Sequence, residues 1–193
     1  GYILGFAGIV VWMIFRDNPD FNVYLGMLLG FLIGAVLGAI NGTLIAWVKI
    51  PPIIATLGTL SVYRGFVFIV SDGRQIDPNH IPVALIRWSQ RGPFGSQVIP
   101  WVVIIALIVV FLTYLFLNYT KTVRNIYALC SNPEAARLRV IPVNNTTFIV
   151  YTITGAMAGL AGILYASRFG FINPGETGVG FELTVIAAVV LGG

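Results

Sequence analysis

The sequence predicts an all-α fold, a polytopic transmembrane helix bundle, and three observations predict it. Of 193 residues, 58% are hydrophobic and only 9% are charged, against roughly 25% charged in soluble domains. A soluble domain of this length still exposes about a third of its unfolded surface, too much for so apolar a chain, whereas a bilayer solvates apolar side chains itself. The apolar residues also fall in long unbroken runs without period-two alternation, while barrel strands would read as alternating segments of about ten residues. Finally, the runs are separated by polar, glycine- and proline-containing breaks.

The elements follow in order. Gly1–Phe15 is apolar but shorter than the roughly 20 residues a span needs, as is Leu183–Gly193 at the other end. Both are expected to be truncated spans, with residues 1–193 forming one transmembrane domain incomplete at each end. Asp17-Asn18-Pro19-Asp20 turns the chain into a second span, Val23–Val48. Within it, Gly26, Gly30, Gly34, Gly38 and Gly42 recur every four residues. Each step of four drifts about 40° around a helix, so these glycines wind slowly as a groove that admits another helix backbone to backbone. Two uses stay open: fixed packing within one bundle, or a surface on which helices slide during transport. Gly155 and Gly159, beside Ala158, Gly162 and Ala166, form a shorter set of the same kind.

Pro51-Pro52 cannot continue a helix but suits the start of the next one, the span Ile53–Ser71. Asp72-Gly73-Arg74 opens a long polar loop before the span Val98–Asn118. The loop Tyr119–Thr146 leads into Thr147–Ser167, and Asn173-Pro174-Gly175 breaks the chain again before Leu183. Trp12, Trp47 and Trp101 lie near span ends, where an aromatic belt places them.

Orientation follows from the basic residues. Lys121, Arg124, Arg137 and Arg139 against the single acid Glu134 put Tyr119–Thr146 in the cytoplasm. Ser71–Gln97 and Arg168–Glu182 then lie outside and Lys49 inside, with Arg74, Arg87 and Arg91 weighing against that assignment. The net charge of +4 is spread over connecting segments and forms no patch for nucleic acid. One cysteine (Cys130) excludes an intrachain disulfide framework, and one histidine (His80) argues against a metal cluster or a catalytic triad. No phosphate-binding loop is present, so no ATP site or other cofactor is expected in this chain, and no catalytic residues are assigned.

Four polar residues in or beside the spans are candidates for a translocation path. Arg64 lies near the middle of Ile53–Ser71, where a charge costs roughly 2.5–3.5 kcal/mol on insertion scales. It lines or gates an aqueous path together with Thr56, Thr59 and Ser61 on neighbouring turns, or else it is a buried structural arginine. Asn41 poses the same choice between the path and an interhelix hydrogen bond. Glu182 follows Gly170–Phe181, whose glycines suggest either an irregular segment at a broken or re-entrant helix or an ordinary exterior loop. At the start of the last apolar run, its carboxylate would meet a helix N-terminus.

The stretch Asn132-Pro133-Glu134-Ala135-Ala136-Arg137 reads as the body of a short helix. Asn132 is an N-cap, Pro133 suits the first helical position, Glu134 complements the positive end of the dipole, and Pro142 stops it. A helix this short is marginal alone, so it packs on the bundle or membrane surface or lies in a partner's groove.

Asn41-Gly42-Thr43-Leu44-Ile45-Ala46, Ile50-Pro51-Pro52-Ile53-Ile54-Ala55-Thr56-Leu57-Gly58-Thr59-Leu60 and Arg64-Gly65 resemble the permease subunits of ribose-type sugar ABC importers. So do Arg124-Asn125-Ile126-Tyr127-Ala128-Leu129 with Ser131–Leu138, and Gly178-Val179-Gly180-Phe181-Glu182-Leu183 with Ile186–Gly193. The resemblance covers nearly the whole chain, and within the family it looks closest to permeases for rhamnose or related deoxysugars. Cys130 stands where that family commonly has Gly, and Arg139-Val140-Ile141 replaces its usual small residue and Gly, which touches the geometry of coupling.

The resemblance implies a multi-pass protein of the bacterial inner membrane carrying a monosaccharide such as rhamnose or ribose. It implies two permeases, this chain with a second copy or a paralogue, lining the pore in the lipid bilayer. A separate ABC ATPase would hold ATP and Mg, a periplasmic sugar-binding protein would deliver the cargo, and Asn132–Arg137 would be the ATPase-coupling helix. The rivals are an ion-gradient-driven secondary transporter, expected to carry acids within its spans, and a membrane enzyme, expected to cluster His, Asp or Glu. The complete spans hold no acid, and no such cluster is seen.

Overall fold

The computed structural model describes residues 1–18, 21–73, 100–120, 123, 126–127 and 142–192. These residues form six helices: α1 (Tyr2–Asp17), α2 (Val23–Ala46), α3 (Pro52–Ser71), α4 (Trp101–Tyr119), α5 (Val143–Phe169) and α6 (Phe181–Gly192). The predicted all-helical bundle is what is found, and α2, α3, α4 and α5 are each long and apolar enough to cross a membrane.

Helix ends follow local chemistry. Asn22 caps α2, its side-chain oxygen accepting the Tyr24 N–H at 2.9 Å. α2 stops two residues earlier than the apolar run, because Lys49 turns to φ 60° before the two prolines. α3 begins on Pro52 at its first turn and closes with Asp72 left-handed at φ 51°. There the Gly73 N–H donates to the Phe68 carbonyl at 3.0 Å and the Asp72 N–H to Ile69 at 3.4 Å, a Schellman closure. α5 starts four residues before the expected Thr147. Pro142 ends the preceding chain, and the Thr146 hydroxyl donates to its carbonyl at 3.0 Å, so Val143–Thr146 wind into the first turn. At 27 residues α5 is about 40 Å long, enough to cross a hydrocarbon core of about 30 Å with turns to spare.

The bundle is organised by backbone approach. α2 and α5 share the largest interface, and α1 packs on α5, α3 and α2. A Cβ added at Gly155 would fall 2.6 Å from the Gly38 Cα, and one at Gly34 would fall 2.8 Å from the Gly159 Cα. Gly42 faces the Phe148 backbone, Gly30 faces Gly159 and Ile163, and Gly26 lies under the Phe15 ring. The every-fourth-residue glycines of α2 thus seat the matching set on α5, and Gly162 of that set receives the backbone of Leu4 in α1. Ile9, Val11, Phe15, Met27, Val67 and Ile163 fill the apolar centre. α4 and α6 fully bury none of their described residues, and most of their apolar side chains are exposed, as on lipid-facing helices, although Ile105 of α4 packs against the core.

Residues 170–180 pack back against the bundle. Ile172 is 1% exposed and meets Gly8, the Thr177 carbonyl lies against Gly5, and Gly178 lies against Gly1. The segment therefore runs back alongside α1 for about 10 Å, two helical turns. It is held by its own turn: the Gly175 N–H donates to Asn173 Oδ1 at 2.9 Å and the Asn173 N–H to Thr177 Oγ1 at 3.0 Å. Glycines take the left-handed positions, Gly178 at φ 89° and Gly180 at φ 71°, where a side chain would be strained. α6 consequently begins level with the start of α1, part-way along the bundle.

Candidate functional site

The point where α6 begins is also where the bundle opens. A cavity of about 410 Å³ lies among α1, α2, α3, α5 and α6. Asn41 and Gly38 contribute from α2; Thr56, Thr59 and Tyr63 from α3; Tyr151 and Thr154 from α5; Glu182 and Ile186 from α6; and Tyr2 from α1. Each side chain is placed by a feature already described. Gly38 and Gly155 bring α2 and α5 close enough for Asn41 and Thr154 to share one wall. The return of 170–180 carries Glu182 into the interior rather than leaving it at the end of α5.

Asn41 is 7% exposed. Its Oδ1 lies 3.4 Å from the Tyr63 hydroxyl, which donates its shorter bond, 2.9 Å, to the Leu37 carbonyl. The Asn41 Nδ2 has no hydrogen-bond partner among the described residues. The threonine hydroxyls donate back into their own helices: Thr56 to Pro52 at 2.8 Å, Thr59 to Thr56 at 3.2 Å, and Thr154 to Val150 at 2.8 Å. Glu182 sits in the first turn of α6, its side chain 38% exposed and its Oε2 lying 3.5 Å from the Gly1 nitrogen.

Three of the four translocation candidates, Asn41, Thr59 and Glu182, therefore converge on one cavity. Arg64 does not line it. It is exposed on α3, with its guanidinium 5.5 Å from the centre of the Tyr2 ring and 5.9 Å from that of Phe68. Thr56 also lines the cavity, whereas Ser61, on the neighbouring turn, is exposed away from it. The short helix Asn132–Arg137 lies outside the described residues, as do Lys121, Arg124, Cys130, Arg139 and His80. Tyr63, Tyr151 and Thr154 are cavity residues that sequence reasoning missed, because an isolated tyrosine or threonine in an apolar span looks the same whichever side it faces. No group of three or more His, Cys, Asp or Glu that could hold a metal occurs among the described residues.

Four helices long and apolar enough to cross a bilayer, around a largely apolar cavity that a few polar side chains enter, define a multi-pass helical membrane protein. Residues 1–193 match, over the whole chain, the family described as the permease component of the branched-chain amino acid transport system, and the chain belongs to that family. The kinship with importer permeases drawn from the ordered motifs thus holds. The autoinducer 2 import system permease proteins of Escherichia coli O9:H4 (strain HS) and Photorhabdus luminescens are each 37% identical to it over all 193 residues, covering 54% and 56% of their own lengths. The corresponding protein of Yersinia enterocolitica is 36% identical, with 51% of its length covered. The chain spans about half the length of these relatives. No solved structure matches it significantly.

Proposed function

We propose that the chain is part of the permease subunit of an ATP-driven importer of the bacterial inner membrane, and that the cavity at Asn41, Thr59 and Glu182 belongs to its translocation path. The observation that carries this reading is the convergence of those polar side chains inside a bundle whose outer surface is apolar. Buried polar groups in a membrane domain cost free energy unless they meet partners, water or cargo. The cargo is a small hydroxylated molecule. The motif resemblance supports a monosaccharide such as rhamnose or ribose, and the kinship with autoinducer 2 import permeases supports autoinducer 2.

In this reading ATP and Mg bind a separate ATPase subunit, a periplasmic binding protein delivers cargo, and the pore is completed by a second permease copy or a paralogue. Asn132, Pro133, Glu134, Ala135, Ala136 and Arg137 form the helix that seats in the ATPase, and Arg64 flanks the path behind Tyr2 instead of lining it. The test is uptake of labelled ribose, rhamnose and autoinducer 2 by cells carrying the full-length permease with the ATPase and binding protein encoded beside it. ATP-dependent uptake of one of them, strongly reduced by Asn41→Leu, is the expected result. Uptake that survives ATP depletion but collapses with the proton gradient would replace this reading with an ion-driven carrier, for which the Glu182 carboxylate would be the obvious proton site.

A further inference from the structure

The cavity wall has an unusual balance of hydrogen-bonding groups. The Thr56, Thr59 and Thr154 hydroxyls and the Tyr63 hydroxyl each spend their single proton on a backbone carbonyl, so each offers the cavity only lone pairs. Glu182, when ionised, accepts only. Asn41 supplies a donor in its unpartnered Nδ2, from a side chain more than nine-tenths buried. No lysine or arginine side chain lines the space. The wall is otherwise mostly apolar, and these few lone pairs, with the Asn41 amide and the Tyr2 and Tyr151 side chains, suit a ligand that carries hydroxyl groups. It offers no side-chain cation to a phosphate or carboxylate, which arginine or lysine usually holds.

We propose that Glu182 makes this cavity a charge filter, which admits neutral, hydroxyl-rich ligands and turns back anionic ones such as phosphorylated or carboxylated sugars. The inference rests on reading the cavity as the path, and it places selectivity within the permease in addition to whatever protein delivers the cargo. A volume of about 410 Å³ equals that of a sphere about 9 Å across, so an anion beside Glu182 has little room to withdraw from the carboxylate. At an effective dielectric near 20, like-charge repulsion at such range disfavours the anion by about tenfold or more.

The test uses the full-length permease in membranes, with Cys130→Ser and the replacement of any further native cysteine as background and Thr154→Cys as reporter. The reporter is treated with a neutral and a sulfonated methanethiosulfonate, each rate being normalised to that of a free thiol in solution. The sulfonated reagent is expected to react about tenfold more slowly than the neutral one. Glu182→Gln should bring the ratio close to one, and Glu182→Asp should restore the discrimination. A ratio of one with Glu182 in place, or a ratio unmoved by Glu182→Gln, overturns the proposal. If Thr154→Cys does not assemble, Thr59→Cys serves in its place. A reporter at both positions that neither reagent reaches would show that the space is closed to solutes, and the filter would fall with it. Charge discrimination without any ATP-driven uptake would overturn the importer reading alone, whereas uptake without discrimination would overturn the filter alone.

Discussion

Tyr63 shows how much a single side chain does at this site. It is 5% exposed, and its hydroxyl bridges from α3 to the Leu37 carbonyl of α2 while lying beside Asn41. The Leu37 carbonyl keeps its bond within α2 when the tyrosine hydroxyl is removed, so no acceptor is stranded. Tyr63→Phe should therefore cost only about 1 kcal/mol, read as a small fall in the unfolding temperature of the full-length permease in detergent. Its effect on uptake should be larger than that stability loss implies, because the oriented Asn41 amide loses its neighbour. A change of several kcal/mol would mean the bridge carries more than one bond. At this scale the sequence was legible where polarity was unexpected. Asn41, Thr59 and Glu182 stood out because amides, hydroxyls and carboxylates are conspicuous against apolar runs. Tyr63 and Tyr151 did not, since a tyrosine is equally at home facing lipid, core or cavity. Arg64 stood out most and yet lies over two aromatic rings outside the cavity. The long stem and flat guanidinium let it reach rings on its own helix and on α1, an arrangement that residue spacing alone does not reveal.

Glycines act at the level of helix pairs, and they fall into two classes. Those of the α2–α5 seam touch backbone, while Gly58 and Gly65 of α3 have nothing within 4 Å of a would-be Cβ. Gly155→Ala would put a methyl 2.6 Å from the Gly38 Cα, where no flexible side chain can give way, so α2 and α5 must part along the seam. A loss of roughly 1–3 kcal/mol or more is expected from such overpacking, visible as a lowered unfolding temperature and poorer membrane accumulation. Gly58→Ala meets no such obstacle and should be neutral or stabilising by up to about 1 kcal/mol, since alanine favours helix more than glycine does. A marked loss at Gly58 would instead reveal another helix seated on α3 in the full-length protein. The period of four in α2 foretold a close approach, and the set at Gly155, Gly159 and Gly162 named its counterpart. Helix ends were less legible. The early start of α5 depends on one threonine hydroxyl closing back on Pro142, and the inward return of 170–180 depends on Gly5 and Gly8 leaving room on α1. Both are relations between distant or competing partners that local composition does not encode.

Across the whole molecule, an apolar surface encloses an apolar core that polar side chains interrupt at the cavity, the space proposed above as the path. The motif resemblance places ATP on another subunit, and under the proposed function the force then enters through a contact with it. The basic loop between α4 and α5 is where the sequence offers one. The sequence of its short segment Asn132–Arg137 offers an N-cap and an N-terminal proline but too few residues to hold a helix alone, so under the proposed function its order comes from what it touches. α5 follows that loop directly and carries Tyr151 and Thr154 on the cavity wall, and its glycine seam ties it to α2. A push on the loop would thus be carried along α5 to the wall at Asn41 through a rigid backbone contact. Glu134→Arg and Arg137→Glu each invert a charge on the proposed contact while leaving the cavity untouched. Each should reduce cargo-stimulated ATP hydrolysis and uptake together in the assembled full-length transporter, with membrane levels of the permease unchanged. Under the coupling-helix reading, the double exchange, Glu134→Arg with Arg137→Glu, should not recover the loss, because each charge is then matched by the ATPase subunit. Wild-type stimulation in the single variants would show that the force enters elsewhere, and recovery in the double variant would show an ion pair internal to the loop.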